Sequence, residues 1–199
     1  IEAACAPAKL RQALDRLAPA LRIMSTGGSL EIYKEIGAPA DVVDRFAVAK
    51  MAGSHMIGHT RMATESAVTT EGAHPFNTGE DLCLVHNGSL SNHHALRRRL
   101  ERDGGITFQT ENDSEVAAGY FAHHLAAGAT LGEALEAGLS DLDGFYTFAV
   151  GTRNGFAVLR DPIACKPAVL AECDDWVAMA SEFRALANLP GVDNARVWE

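Results

Sequence analysis

Long apolar runs are missing from this 199-residue sequence: no stretch approaches the roughly 20 apolar residues of a membrane helix, which excludes a helical membrane span. No basic n-region followed by an apolar h-region opens the chain, so no secretory signal is expected. The first residue is Ile1, not Met, and the expectation is a processed or truncated N-terminus. Cysteine is scarce. Cys5, Cys83, Cys165 and Cys173 lie far apart with no C-x-x-C pair, which argues against a disulfide scaffold and against a zinc or redox site of that spacing. A reducing cytoplasm is the expected location. Positive charge is also in deficit, with 17 Lys and Arg against 26 Asp and Glu. The resulting net charge of -9 opposes a phosphate backbone and removes the general drive toward nucleic acid.

What remains is an ordinary globular composition, 47% hydrophobic and 22% charged, in a chain long enough for one domain. Leu10, Leu14, Leu17 and Leu21 fall at spacings of three and four and predict an amphipathic helix over 7–21, packed on one face. Alternation over 30–36 predicts a half-buried strand, and Pro39 introduces a helix ending near Gly53. Residues 55–61 and 82–86 read as buried strands joined by a long polar connection. Ser91 and Asp113 are expected N-caps of helices through Arg102 and Ala127, and Thr130 with Glu133 forms a capping box for a third. After Gly144 come strands at 145–150, 155–160, 168–172 and 176–180. This grouping of helices beside antiparallel strands indicates an α+β layered sandwich. The adjacent pairs His93-His94 and His123-His124 lack the i, i+4 spacing that turns two helical imidazoles toward one metal. The run Arg97, Arg98, Arg99 and Arg102 reads as a solvated helix face, with docking of an acidic partner as the alternative.

Three motifs carry chemistry. Arg61, in Gly58-His59-Thr60-Arg61-Met62-Ala63-Thr64, either closes a strand at the surface or presents its planar fork to a carboxylate. In His86-Asn87-Gly88, Asn-Gly is either a type I′ hairpin turn or a pair of N–H donors aimed at an oxyanion. Asp113, in Glu111-Asn112-Asp113-Ser114-Glu115, is either a plain N-cap or a carboxylate that also pairs with a ligand ammonium. Together, a carboxylate clamp, an oxyanion hole and an ammonium acceptor describe a site for an α-amino acid whose side-chain carbonyl is attacked. Glutamine fits that description.

The connected pattern GHTRMAT, AHPF, HNGSLSNHHALRRRL and ENDSEV resembles the class II glutamine amidotransferases, whose domain is of the N-terminal-nucleophile hydrolase type. The resemblance runs from about His55 to Arg184 and includes Asp143 to Phe148, Arg160-Asp161-Pro162 and Ser181-Glu182. It implies a four-layer αββα sandwich, one domain over residues 1–199, lacking its first strands and N-terminally incomplete. It further implies that Arg61 holds the glutamine α-carboxylate and Asp113 its α-ammonium, that Thr64 lines the pocket, and that Asn87 and Gly88 stabilise the oxyanion. The family's nucleophile is an N-terminal cysteine, and this chain begins Ile-Glu-Ala-Ala-Cys, so that residue is expected upstream. Met62, and Glu65-Ser66 after the motif, depart from the residues common in the family.

Two functions follow from the resemblance. One is a glutaminase module that passes ammonia to a synthase subunit in a hetero-oligomer, most similar to small subunits of glutamate-synthase-like complexes, including N-methylglutamate synthase. No cofactor motif is present in this chain, and flavin (FMN) or iron–sulfur centres belong to such partners. The other is a noncatalytic glutamine- or glutamate-binding regulatory or assembly subunit. A nucleophile hydrolase acting on another amide is a third reading, set apart by Arg61 and Asp113.

Overall fold

The computed structural model describes residues 5–60 and 68–198. In chain order these contain helices α1 (Pro7–Leu17) and α2 (Pro39–Arg45), strand β1 (Leu82–Leu90), helices α3 (His93–Gly104), α4 (Asp113–Ala126) and α5 (Leu131–Asp141), strands β2 (Gly144–Thr152), β3 (Gly155–Arg160), β4 (Val169–Glu172) and β5 (Val177–Ala180), helix α6 (Phe183–Leu186) and strand β6 (Arg196–Trp198). Two antiparallel sheets result, one in the order β1-β2-β3 and one in the order β5-β4-β6. The class is α+β, as the grouping of helices and strands indicates.

The main core forms because α3, α4 and α5 all lie between β1 and β2 in sequence, while those two strands pair along their whole length from Leu82↔Thr152 to Leu90↔Gly144. The helices must therefore fold back over the sheet, and α4 packs on β1 between α3 and α5. Residues 114–121 of α4 are all buried. Tyr120, Phe121, Tyr146 and Phe148 fill the interface completely, with the Tyr146 and Phe148 rings stacked at 4.6 Å. Alternation on β1 follows from this packing, since Leu82, Leu84 and Leu90 join the core under the helices. His86 shares their parity and is buried among them, its ring 4.7 Å from Phe148. The second sheet has its own small core of Val169, Ala171 and Leu186.

Helix boundaries show which polar side chains are spoken for. The capping box of Thr130 and Glu133 is present. Asn92, not Ser91, precedes α3, and its amide ties that start to the end of α5 through Asp141 O (2.8 Å) and Asp143 N (3.2 Å). Asn112, not Asp113, caps α4, accepting from Ser114 N at 2.9 Å. That leaves the Asp113 carboxylate, one residue inside the helix, available for other partners. Helix α1 stops at Leu17, not Leu21, because Pro19 cannot continue it, and Leu17 and Leu21 stand exposed at 74% and 52%. The helix from Pro39 ends at Arg45, followed after the left-handed Ala47 by a 3-10 turn at Val48–Lys50.

Two expected strands are absent from the described residues. Segment 30–36 keeps its alternating burial but has no ladder. It is held by side chains, with Lys34 Nζ donating to the carbonyls of Glu71, Ala73 and Pro75, and with Asp81 accepting from the N–H groups of Gly28, Ser29 and Leu30. Segment 55–60 is likewise irregular, fixed by His55 Nε2 against Thr152 O at 2.8 Å. An alternating pattern reports two unlike faces, and a strand requires a paired neighbour as well. The Arg97–Arg102 run is not wholly a solvated face. Arg97 turns inward to Thr110 O (2.8 Å) and lies over Phe108, whereas Arg98, Arg99 and Arg102 are exposed, Arg99 pairing with Asp141 at the surface.

Phe148 is completely buried and touches Tyr146, Phe121 and His86, so Phe148→Ala is expected to cost about 3–5 kcal/mol in urea denaturation. A loss below about 1 kcal/mol would mean this is not the central core contact.

Candidate active site

A cleft of about 720 Å³ opens where the C-terminal half of β1, the start of α4 and the segment ending at Thr60 face the β5–α6 connection. One wall carries His86, Asn87 and Gly88, together with Asn112, Asp113 and Ser114. Met179, Ala180, Ser181, Glu182 and Ala185, from β5 to α6, also line it. The structure thus brings three of the expected site residues, Asn87, Gly88 and Asp113, to one cavity. Arg61 and Thr64 lie outside the described residues, as do Met62, Glu65 and Ser66; Thr60, next to Arg61 in sequence, lines the cleft.

Asn87-Gly88 is not a hairpin turn. Both residues sit inside β1, paired with Thr147 and Tyr146 of β2. The turn signal reflects tolerance of positive φ, and that tolerance is used within the strand: Gly88 has φ +140°. A Cβ at Gly88 would stand 2.0 Å from Phe145 O, so close approach of β2 also requires glycine there. On the far side of that contact, Asp161 accepts from Tyr146 N (3.0 Å) and Ile163 N (2.9 Å), while Arg160 holds the carbonyls of Ala164 and Lys166. The Arg160-Asp161-Pro162 motif is a structural turn supporting β2 behind the site.

Asp113 reaches from α4 to β1, its Oδ2 accepting from Leu90 N at 2.9 Å. Its Oδ1 lies 3.7 Å from His86 Nδ1, too long for an ordinary hydrogen bond but close enough for attraction to the imidazole when that ring is protonated. Burial pushes this carboxyl upward in pKa, but His86, the Leu90 amide and the more distant His93 outweigh it, and the value falls from 3.8 to about 2. Asp113 is therefore an anion at every physiological pH, as a group that receives an ammonium must be. The same carboxylate is part of the fold, so the N-cap and ligand roles expected for it divide: Asn112 caps, and Asp113 staples β1 and faces the cleft.

Sequence reasoning assigned no role to His59, His74 or Ser114, all of which line the cleft. The Ser114 hydroxyl lies between His86 Nδ1 (3.0 Å) and His74 Nε2 (3.1 Å), and the His74 ring stacks on His59 at 4.3 Å. The signal was present as the AHPF and ENDSEV strings, but nothing in their spacing shows that residues 40 apart share one hydroxyl. No cysteine is among the described residues lining the cleft. Cys83 is buried in β1, where burial pushes its thiol up in pKa, and Cys165 and Cys173 lie beside later strands. Among the described residues no group of three His, Cys, Asp or Glu side chains comes together as metal ligands.

Because the folded pKa of Asp113 lies below its unfolded value, its contribution to stability is complete above about pH 4 and is lost as pH falls through about 2. Asp113→Asn is expected to remove about 2 kcal/mol of that pH dependence, measured as denaturation free energy between pH 7 and pH 2. Identical pH profiles for the two proteins would contradict this assignment.

Comparison with known proteins agrees with the geometry. A family model described as a glutamine amidotransferase domain matches residues 43–197. The glutamine amidotransferase-like protein GlxB of Rhizobium meliloti (strain 1021) is 63% identical over 197 residues, 99% of this chain and 65% of the relative. A glutamine–fructose-6-phosphate aminotransferase (isomerizing) of Acidithiobacillus ferridurans is 34% identical over 169 residues, 83% of this chain and 27% of that protein. Among solved structures, the glutamine phosphoribosylpyrophosphate amidotransferase of B. subtilis, complexed with ADP and GMP, matches with a TM-score of 0.70 and 30% identity, covering 87% of this chain and 37% of that one. The chain thus spans less than two thirds of the length of these relatives. Its fold is that of the N-terminal-nucleophile hydrolases, and the chain belongs to the class II glutamine amidotransferases.

Proposed function

We propose that this chain is the body of a glutaminase module, one domain over residues 1–199 completed by an upstream segment that carries the nucleophilic cysteine. The observation that carries the reading is the placement of an obligate carboxylate, Asp113, and the Asn87-Gly88 donor pair on one wall of one cleft. Asp113 receives the α-ammonium of glutamine, while Arg61 holds the α-carboxylate and Thr64 lines the pocket. The cysteine thiolate attacks the amide carbon, a C–S bond forms, and the carbonyl oxygen becomes an oxyanion held by Asn87 and Gly88 N–H groups. Collapse breaks the C–N bond, and the nitrogen leaves as ammonia with the proton that the thiol gave up to the cysteine's own α-amine. Water then cleaves the thioester through a second oxyanion at the same donors, releasing glutamate and the free thiol.

The acceptor of the ammonia lies in a partner. The aminotransferase and amidotransferase relatives are much longer than their matched regions, of which this chain covers 27% and 37% of the whole. That partner is a synthase in a cytoplasmic hetero-oligomer of the glutamate-synthase-like kind, N-methylglutamate synthase included, where FMN or iron–sulfur centres reside in the partner. The chain's own share of the chemistry is to bind glutamine, orient its amide and hold the oxyanion.

The test is ammonia and glutamate release from glutamine by the protein with its native N-terminus, beside Arg61→Ala and Asn87→Ala. The intact protein is expected to release both products, Arg61→Ala to abolish glutamine use, and Asn87→Ala to lower kcat about 100-fold or more, as loss of an oxyanion donor does. Glutamine binding with no release, even with partner subunits present, would replace this reading with the noncatalytic regulatory one.

A further inference from the structure

The first turn of α4 grips β1 at two points on either side of Asn87-Gly88. Below them, Ser114 Oγ meets His86 Nδ1 at 3.0 Å; above them, Asp113 Oδ2 accepts from Leu90 N at 2.9 Å. Ser114 and His86 are buried residues, at 2% and 5% exposure, so this contact is not exchanged freely with solvent. We propose that Ser114 is a positioning residue: its hydroxyl, shared by His86 and His74, fixes the His86 ring as the Nδ1–H tautomer and holds the Asn87-Gly88 donors in register with Asp113. The proposal rests on the glutaminase reading for its kinetic consequence, but not for its structural one.

The hydrogen-bond arithmetic selects one tautomer of His86. A serine hydroxyl has one proton to donate and can accept two. The Asp113 carboxylate is 3.7 Å from His86 Nδ1, and its negative charge favours the proton on that nitrogen, not on Nε2. His86 Nδ1–H then donates to Ser114 Oγ at 3.0 Å, while the same hydroxyl lies 3.1 Å from His74 Nε2 and can donate to the Asp113 carboxylate at 3.4 Å. His86 Nε2 is buried and has no hydrogen-bond partner among the described residues. Carrying a lone pair there is the less costly state, since an orphaned buried N–H is the rarer and more penalised case. Charge, distance and burial therefore agree on a single tautomer of His86. His86 is adjacent to Asn87 in β1, so the Ser114–His86 contact ties the first turn of α4 to the part of the strand that carries the oxyanion donors.

The proposal is tested in the protein with its native N-terminus by measuring kcat and KM for glutamine together with the imidazole nitrogen shifts of His86. Wild type is expected to show His86 as one Nδ1–H tautomer. Ser114→Ala is expected to lower kcat about tenfold, the scale of a small misplacement, with KM changed less than about twofold because Asp113 keeps its Leu90 contact. The His86 signal would become a mixture of tautomers, and Ser114→Thr, which restores a hydroxyl, would return both readouts toward wild type. Wild-type His86 carrying its proton on Nε2 would overturn the proposal. So would Ser114→Ala with unchanged kcat and His86 shifts, or with stability and activity lost in parallel and no rescue by threonine. Should Ser114→Ala not fold, the wild-type tautomer and Ser114→Thr decide it. A wild type that releases no ammonia defeats the proposed function alone, and the His86 tautomer still decides the role of Ser114.

Discussion

Everything at the candidate site depends on how the first turn of α4 is stapled to β1. Asn112 takes the capping duty, which frees Asp113 to bind Leu90 N and brings Ser114 between two histidines. Glu115, also buried, accepts from the N–H groups of Gln109 and Thr110 and from the Thr110 hydroxyl, fixing the approach to the helix. Four consecutive polar residues at a helix start are an unusual content for a protein interior. Asn112 caps α4 itself, Asp113 and Ser114 both reach β1, and Glu115 holds the loop before the helix, which converts a local cap into a junction between the helical layer and the sheet.

The junction explains why the site sits where it does. Behind Gly88, β2 approaches so closely that no side chain fits, and β2 itself is backed by Asp161 and the loop held by Arg160. In front, the cleft is open, and the β5–α6 connection also lines it. Rigid backbone on one side and open volume on the other is the arrangement that electrostatic stabilisation of a developing oxyanion requires, because the donors must not reorganise when charge appears.

Much of this was legible in the sequence, and the parts that were not share a cause. The helices α3 to α5 and the strands β2 to β5 follow from periodicity and turn residues, and Asn87, Gly88 and Asp113 stand out by residue type. Segments 30–36 and 55–60 show that alternation predicts two faces without predicting a partner strand. Asn87-Gly88 shows a related limit: permissive φ serves a tight approach inside a strand as well as it serves a turn. His74 and Ser114 were invisible as a pair because their contact is made by the crossing of a loop and a helix, which leaves no periodic trace. The short β6 and α6 have too few residues to form a pattern at all.

On the glutaminase reading, Asp113 and Asn87-Gly88 address the two ends of one amino acid. The most direct measurement is a structure of the protein, with its native N-terminus, bound to L-glutamate. The account predicts the α-ammonium within hydrogen-bond distance of Asp113 and a side-chain carboxylate oxygen at the Asn87 and Gly88 donors, at about 2.7–3.1 Å. Glutamate bound in the reverse direction, or bound away from this cleft, would contradict it.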